Sequence, residues 1–248
     1  MDFIDVQAGF GGFIPGKREI HAASALAEKL KQAKIARALV RIVPEANDFD
    51  IEHSNAFLYE QCQANKGFIP CPVVAPDAVD DLGGAEHQVE AAIAAGAGAA
   101  VLRPGPDYWT AEPWGCKDIL EALGRHRLPA YTTERLIPAV QLARLAGAFP
   151  ETNFIYAELN YRALRTYIPL MQEFPNIYLS IGSNFNFHAG FQLIAEKIGV
   201  DRLLFGSGLP ASEPCAAMSE LMYSGLDKAS ITKIASGNIK KLMRGVRK

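Results

Sequence analysis

The sequence has few cysteines, no long apolar run and no excess of either charge. Its cysteines, Cys62, Cys71, Cys116 and Cys215, form no CxxC pair and no Cys/His group with zinc-finger spacing. We therefore expect reduced, mostly buried thiols. No segment approaches the roughly 18 apolar residues of a membrane span, and the chain opens with an acidic, strand-like segment instead of a basic leader. These absences predict a cytoplasmic protein.

The balance of charge excludes two classes of partner. Lys and Arg number 25 against 27 Asp and Glu, giving a formal net charge of -2, and the basic residues are scattered. No basic stripe is present for nucleic acid, and no polybasic tract for a membrane surface. A small-molecule ligand or substrate is the expected partner, and a homo-oligomer is possible. At 49% hydrophobic and 21% charged, the composition is that of a globular protein with a large core.

Short apolar, β-branched runs alternate with helical patterns along the whole chain. Helical spacing of apolar residues marks REIHAASALAEKLKQ, GAEHQVEAAIAAG and IPAVQLARLAG, and two further helical segments follow the last strand. The predicted strands are residues 3–7, 38–43, 69–75, 99–103, 129–133, 153–158, 177–182 and 203–207. Eight alternations without a linker predict one α/β domain over residues 1–248, a single (β/α)8 TIM barrel, in preference to a doubly wound sheet.

Several of these strands resemble those of a known family. The first, FIDVQAGFG, and the last, DRLLFGSGLPASEP with SGNIKKLM after it, are similar to the ends of amidohydrolase-2 type, metal-dependent barrels. The inner segments HRLPAYTTE, NFIYAELN and FPNIYLSIG also resemble strands of that family. The resemblance covers nearly the whole chain and implies a hydrolase-type enzyme with its site at the carboxyl ends of the strands.

The same resemblance implies that the usual metal ligands are replaced. The positions where the family carries four His and one Asp are Gln7, Gly9, Thr133, Glu158 and Gly208. Of these side chains only the Glu158 carboxylate is a competent zinc donor. We expect no family-type metal site and no other cofactor.

Polar side chains are predicted to gather where the strands end. The expected set is Gln7, Arg103, Thr133, Glu134, Glu158, Asn160, Ser183, Asn184 and Ser207. One cation, two carboxylates and several amides and hydroxyls suit a small polar ligand. The alternative is that these residues only satisfy one another.

Three residues of the mouth have candidate catalytic roles. Arg103 can bind a carboxylate or phosphate through its planar fork, or form a structural salt bridge to Glu158 or Glu134. Glu158 can act as a general base, or simply neutralise Arg103. His188 lies close to the predicted mouth and is an acid/base candidate, or a helix-start or packing residue.

Two loops, one aromatic and one rich in glycine, have compositions that could serve ligand binding. The aromatic segment PDYWTAEPW follows the fourth strand and can form a lid over a ligand, or pack on the barrel rim. The run GFGGFIPG allows backbone amides to approach an anion, but it lacks the Lys-Ser/Thr ending of a phosphate loop, so a flexible first loop is the better interpretation.

Three functions are compatible with this sequence. The first is a hydrolase- or lyase-type enzyme that acts on a small polar or carboxylated substrate without the family metal, through Glu158 and Arg103. The second is a catalytically inactive barrel that binds a small molecule or a partner. The third, ranked last, is an enzyme whose metal is held by an unusual set such as Glu158 and His188.

Overall fold

The computed structural model describes residues 1–11, 22–43, 50–182, 185 and 189–247. All eight predicted strands are present, each followed by at least one helix, and every strand pairing is parallel. The strands are β1 (Ile4–Gly11), β2 (Arg37–Val43), β3 (Phe68–Pro70), β4 (Ala100–Val101), β5 (Ala130–Thr133), β6 (Phe154–Ala157), β7 (Ile177–Ile181) and β8 (Leu203–Phe205). The predicted (β/α)8 barrel is confirmed.

Among the described residues, seven helices lie between the strands in sequence, and three follow β8. They are α1 (Ala23–Gln32), α2 (Ile51–Ala64), α3 (Ala85–Ala94), α4 (Lys117–His126), α5 (Ala139–Ala148), α6 (Leu164–Glu173), α7 (Gly190–Ile198), α8 (Pro214–Met222), α9 (Lys228–Thr232) and α10 (Asn238–Arg244). A 3₁₀ turn precedes α6, and a π-helical turn at Lys233–Gly237 joins α9 to α10. In the part of the chain that the structure describes, no helix is both long and apolar enough to cross a bilayer.

Strand β3 is shorter than the predicted span 69–75. Pro70 and Pro72 lack a backbone N–H, so the ladder cannot continue through them. The Asn55 side chain takes over part of the pairing by accepting from Val73 N at 2.9 Å and donating to Val73 O at 2.8 Å. A single bridge between Val73 and Val101 joins the sheet β1–β3 to the sheet β4–β8.

A buried polar link joins β1 to β8 and closes the barrel. Ser207 N donates to Asp5 Oδ1 at 2.9 Å, and Ser207 Oγ donates to Asp5 Oδ2. Burial raises the pKa of the Asp5 carboxyl, although the donors from Ser207 and Gln7 oppose that effect. Both side chains are fully buried, so this link is part of the core.

Alternation along the strands divides the core into two layers. Leu39, Val101 and Tyr131 belong to a cluster inside the barrel, whereas their neighbours on the same strands pack against the helices. Side chains two residues apart on a strand point to the same side. Arg41, Arg103 and Thr133 each lie two residues after one of these inner residues, so they are on the inner side of the mouth.

Candidate functional site

An ion pair crosses the mouth of the barrel. Arg41 Nη2, at the end of β2, lies 2.7 Å from Glu158 Oε1, beyond the end of β6. Three strands separate β2 from β6 in either direction round an eight-stranded barrel, so the pair spans opposite walls. The Arg41 side chain is only 11% exposed and that of Glu158 is 33% exposed, so the pair is partly screened from solvent.

Tyr131 lies beneath the Arg41 guanidinium. The Arg41 Cζ atom is 5.2 Å from the centre of the Tyr131 ring, within the range of a cation–π contact. Burial raises the pKa of Tyr131, so its hydroxyl stays protonated. Burial opposes the charge of Arg41, but interactions with Tyr131 and Glu158 hold the pKa of Arg41 above its usual range.

Where Arg41 and Tyr131 meet, two buried polar atoms make no hydrogen bond with the described residues. Among the described residues, neither Arg41 Nε nor Tyr131 Oη has a hydrogen-bond partner, although both atoms are buried. Buried polar atoms are almost always paired in folded proteins, because an unpaired one costs about 1 to 3 kcal/mol. An anionic group with two acceptor atoms is the chemistry that would satisfy them.

Arg41 and Tyr131 are not in the set of mouth residues expected from the sequence, and the expectation of one cation at the mouth is wrong, because Arg41 lies there as well as Arg103. A signal was available in ALVRIV, because period-two alternation puts Arg41 on the same side as Leu39. Nothing in the sequence indicated that Arg41 would reach a carboxylate on the opposite wall.

Gln7 fills another part of the mouth. Its Nε2 donates to Ser180 Oγ at 2.8 Å and to Ser180 O at 3.2 Å. A Cβ added to Gly182 would lie 2.8 Å from Gln7 Oε1, and one added to Gly206 would lie 2.6 Å from Gln7 Cδ. The two glycines therefore make room for Gln7, which is 3% exposed and fixed against the β7–β8 wall.

Gly9 and Gly208 are both incompatible with larger side chains. A Cβ at Gly9 would lie 2.4 Å from Val43 Cγ2, so the neighbouring strand leaves no room there. Gly208 has a φ of +76°, a left-handed conformation that favours glycine.

Arg103 pairs with Asp107 and not with Glu158. Its Nε and Nη2 donate to the two carboxylate oxygens of Asp107 at 2.9 and 2.6 Å, and both side chains are 2% exposed. The predicted structural alternative, a salt bridge to Glu158 or Glu134, is wrong, because Asp107 lies four residues away on the same loop and Glu158 is taken by Arg41. The fork of Arg103 therefore anchors the loop after β4.

Glu134 does not face the mouth. Its Oε2 accepts from Tyr156 Oη at 2.7 Å and Tyr167 Oη at 2.9 Å, on the helix-facing side of β6. Burial and these hydrogen bonds raise the pKa of both tyrosines. In the turn that follows β5, Leu136 N donates to both the carbonyl oxygen and the Oγ1 atom of Thr133.

The remaining predicted residues are dispersed. Asn160 is exposed and accepts from Arg162 N at 3.0 Å, which caps the 3₁₀ turn. Ser207 belongs to the buried link with Asp5. Ser183, Asn184 and His188, and most of the segment GFGGFIPG, lie outside the described residues. The structure thus brings Gln7, Arg103, Thr133 and Glu158 to the mouth, with Arg41 and Tyr131 added.

The aromatic segment after β4 borders a cavity of about 760 Å³. Its walls come from residues 50–52, 75–82 and 106–115, which are the loops after β2, β3 and β4, and we call it the loop cavity. It lies on the same face as the mouth, towards the β2–β4 side. The segment therefore lines a side cavity, and Arg103 is linked to its wall through Asp107.

A family model described as Amidohydrolase matches residues 19–245. No functionally curated protein matches the chain.

Solved structures share the architecture at low identity. A dihydroxybenzoic acid decarboxylase from Polaromonas sp. JS666, solved with manganese and 2-nitroresorcinol, superposes with a TM-score of 0.75 at 16% identity, covering 98% of this chain and 96% of that one. The 5-carboxyvanillate decarboxylase of Sphingomonas paucimobilis gives 0.73 at 12% identity, covering 98% of each chain. A putative 2-pyrone-4,6-dicarboxylic acid hydrolase of Pseudomonas putida gives 0.73 at 12%, covering 98% and 97%. At these identities the likeness concerns the fold.

Proposed function

Because the chain belongs to the amidohydrolase family, we propose that it is a hydrolase- or lyase-type enzyme acting on a small carboxylated ring compound at the mouth of the barrel. The substrate class is suggested by the three similar structures, whose named substrates are all ring compounds bearing carboxyl groups. The ligand is a small molecule, without nucleic acid or membrane as partner. We place the protein in the cytoplasm, consistent with four free thiols of which three are buried.

The observation that carries the proposal is the pair of unsatisfied donors at Arg41 Nε and Tyr131 Oη. A carboxylate that accepts from both would remove two buried unpaired groups at once and would face a guanidinium held in place by Glu158. Such charge-assisted bonds in a partly dry site are about twice as strong as neutral ones. Arg41 and Tyr131 therefore bind and orient the substrate.

Glu158 is the candidate for proton transfer. Its Oε1 holds Arg41 at 2.7 Å, and Oε2 has no hydrogen-bond partner among the described residues. In this proposal Oε2 takes a proton from, or gives one to, a substrate whose carboxylate is already held by Arg41. His188, as a second acid/base group, and Asn184, as a ligand contact, stay predictions.

The residues at the family ligand positions do not fit a divalent ion. Gly9 has no room for a side chain, and the amide of Gln7 is directed at Ser180. The Arg41 guanidinium, bound to Glu158, puts a fixed positive charge where a metal would need negative or neutral donors. We therefore route no step through a metal, and assign to Arg41 the attraction for the substrate's negative charge.

Binding of 2,6-dihydroxybenzoate to two variants tests the proposal. Tyr131→Phe removes a hydroxyl with no hydrogen bond of good geometry and keeps the ring beneath Arg41, so the free energy of unfolding should change little while affinity falls. Arg41→Gln should weaken binding by about 2 to 5 kcal/mol, the usual cost of truncating one side of a buried charge pair. Arg165→Gln, at an exposed arginine of α6, is the matched control.

Titration calorimetry gives the affinities, and release of CO₂ or ring opening of a pyrone dicarboxylate gives the turnover. Binding that needs Arg41 and Tyr131, with turnover that needs Glu158, is the expected result. Binding without turnover would favour the inactive, ligand-binding barrel. Equal affinity in wild type, Arg41→Gln and Tyr131→Phe would refute the site.

A further inference from the structure

Both tryptophans of the chain, Trp109 and Trp114, line the loop cavity, together with Tyr108. Trp114 is 79% exposed and Tyr108 is 86% exposed, which is unusual for large aromatic side chains. Three aromatic side chains therefore line an open volume, and such a volume is typical of ligand sites.

All the charged residues among the described residues that line the loop cavity are acidic. Among its described lining residues are Asp50, Glu52, Asp81 and Asp107, whereas none is Lys, Arg or His. Asp107 is neutralised by Arg103, but the other three carboxylates form no ion pair with the described part of the chain. The described lining residues thus carry a net negative charge in a protein whose overall charge is close to zero.

The first wall of the cavity is ordered by Asp77. Its Oδ1 accepts from Asp81 N at 2.9 Å and from Leu82 N at 3.2 Å, and its Oδ2 accepts from Gly84 N at 2.5 Å. These bonds fix the loop 77–84 from within. The hydrogen bond from Asp81 N to Asp77 therefore fixes the position of Asp81 at the cavity.

The second wall is ordered by the loop after β4. Arg103 holds Asp107 at one end, and Arg144 Nη1 lies 2.6 Å from Glu112 Oε1 in the middle. Gly115 closes the turn, since a Cβ there would lie 2.8 Å from Thr110 O. The walls formed by residues 75–82 and 106–115 are therefore held by contacts within the protein, which lowers the entropic cost of binding.

We propose that the loop cavity binds an organic cation, namely an alkylated ammonium group held against Tyr108, Trp109 and Trp114 and balanced by Asp50, Glu52 and Asp81. Aromatic faces attract such cations through the ring quadrupole, and a bulky ammonium loses little hydration on contact. This site is separate from the Arg41 site, which selects a negative group. It stands or falls independently of the proposed enzymatic activity.

Choline and its neutral isostere 3,3-dimethylbutan-1-ol test the proposal, at constant ionic strength set with sodium chloride. Because both tryptophans of the chain lie in the cavity, intrinsic tryptophan fluorescence reports on this site alone. Choline should change the fluorescence saturably, whereas the isostere should bind more weakly. Added salt should reduce choline affinity, because the three carboxylates are exposed.

Variants separate the aromatic and the acidic contributions. Trp114→Ala should weaken choline binding roughly two- to fivefold, as expected for one exposed cation–π contact, while Trp114→Phe should retain part of the affinity. Glu52→Gln with Asp81→Asn should weaken choline but not the isostere. Tyr223→Ala, at an exposed aromatic residue after α8, is the control and should change nothing.

Three results would overturn the inference. The first is the absence of any saturable change with choline, and the second is equal affinity for choline and the isostere, which would indicate a merely apolar cavity. The third is unchanged choline affinity in both the Trp114→Ala and the Glu52→Gln/Asp81→Asn variants. Each of these can occur whether or not the Arg41 site binds carboxylates.

Discussion

Arg41 and Glu158 join opposite walls of the barrel at its mouth, with Arg41 Nη2 and Glu158 Oε1 2.7 Å apart. They are separated by 117 positions in the sequence. The Arg41 guanidinium also lies over the Tyr131 ring, with its Nε and the tyrosine hydroxyl left without acceptors among the described residues. In the proposed function, this positive charge binds the anionic group of the substrate.

The first prediction concerns metal. Protein purified without added metal should contain no stoichiometric zinc or manganese by elemental analysis, because Arg41 occupies the mouth. About one metal ion per chain, lost in Glu158→Ala, would contradict this and revive the metal-dependent hydrolase.

The second prediction concerns Arg103 and Asp107. Because both side chains are buried, Arg103→Ala should lower the free energy of unfolding by about 3 to 5 kcal/mol, by removing the guanidinium that donates to both oxygens of the Asp107 carboxylate. Arg103→Lys, which keeps the charge but not the two parallel hydrogen bonds, should lose less stability in urea denaturation. A stable Arg103→Ala protein that no longer binds carboxylates would instead make Arg103 a ligand contact, as the sequence suggested.

The third prediction concerns Glu134. Glu134→Ala should cost about 1 to 3 kcal/mol of stability, because it removes an acceptor shared by the Tyr156 and Tyr167 hydroxyls. Glu134→Gln keeps an acceptor oxygen and should cost less. Ligand affinity should be the same in both variants, since the carboxylate lies behind β6. A selective loss of affinity with full stability would restore Glu134 to the binding site.

The fourth prediction concerns pH and His126, at the end of α4. A hydrogen bond from the ring to Glu86 raises the pKa of His126 above its usual 6.5. The folded state therefore holds the proton more tightly than the unfolded state, and the stabilisation is full below pH 6.5 and is lost as the pH rises through the raised pKa. The stability advantage of wild type over His126→Gln should shrink as the pH rises above 6.5 and through the raised pKa of His126.

Thermal unfolding across that range measures the difference, with His53→Gln, at an exposed position in α2, as the control. A difference between wild type and His126→Gln that does not change with pH would mean that the Glu86 hydrogen bond does not depend on the proton.

The sequence by itself determined the barrel, because strand and helix periodicity are local properties of each segment. Each of the eight predicted strands overlaps an observed one, although β1 extends to Gly11 and β4 is limited to Ala100–Val101. In β3 the predicted span is too long because Pro70 and Pro72 lack the N–H groups that the ladder needs. The family was also evident from the first and last strands, and the match over residues 19–245 agrees with it.

Only the tertiary structure decided how the charged side chains are paired. From the sequence, Arg103 was expected at a ligand or at Glu158, yet Asp107 lies within reach of its fork and takes it. Glu134 was expected at the mouth, yet it turns towards tyrosines behind β6. The periodicity of a strand determines only whether a side chain points into the barrel or towards the helices. The partner of that side chain is the nearest complementary group in space, which can be far away in the sequence. Arg41 and Glu158, for example, are 117 positions apart.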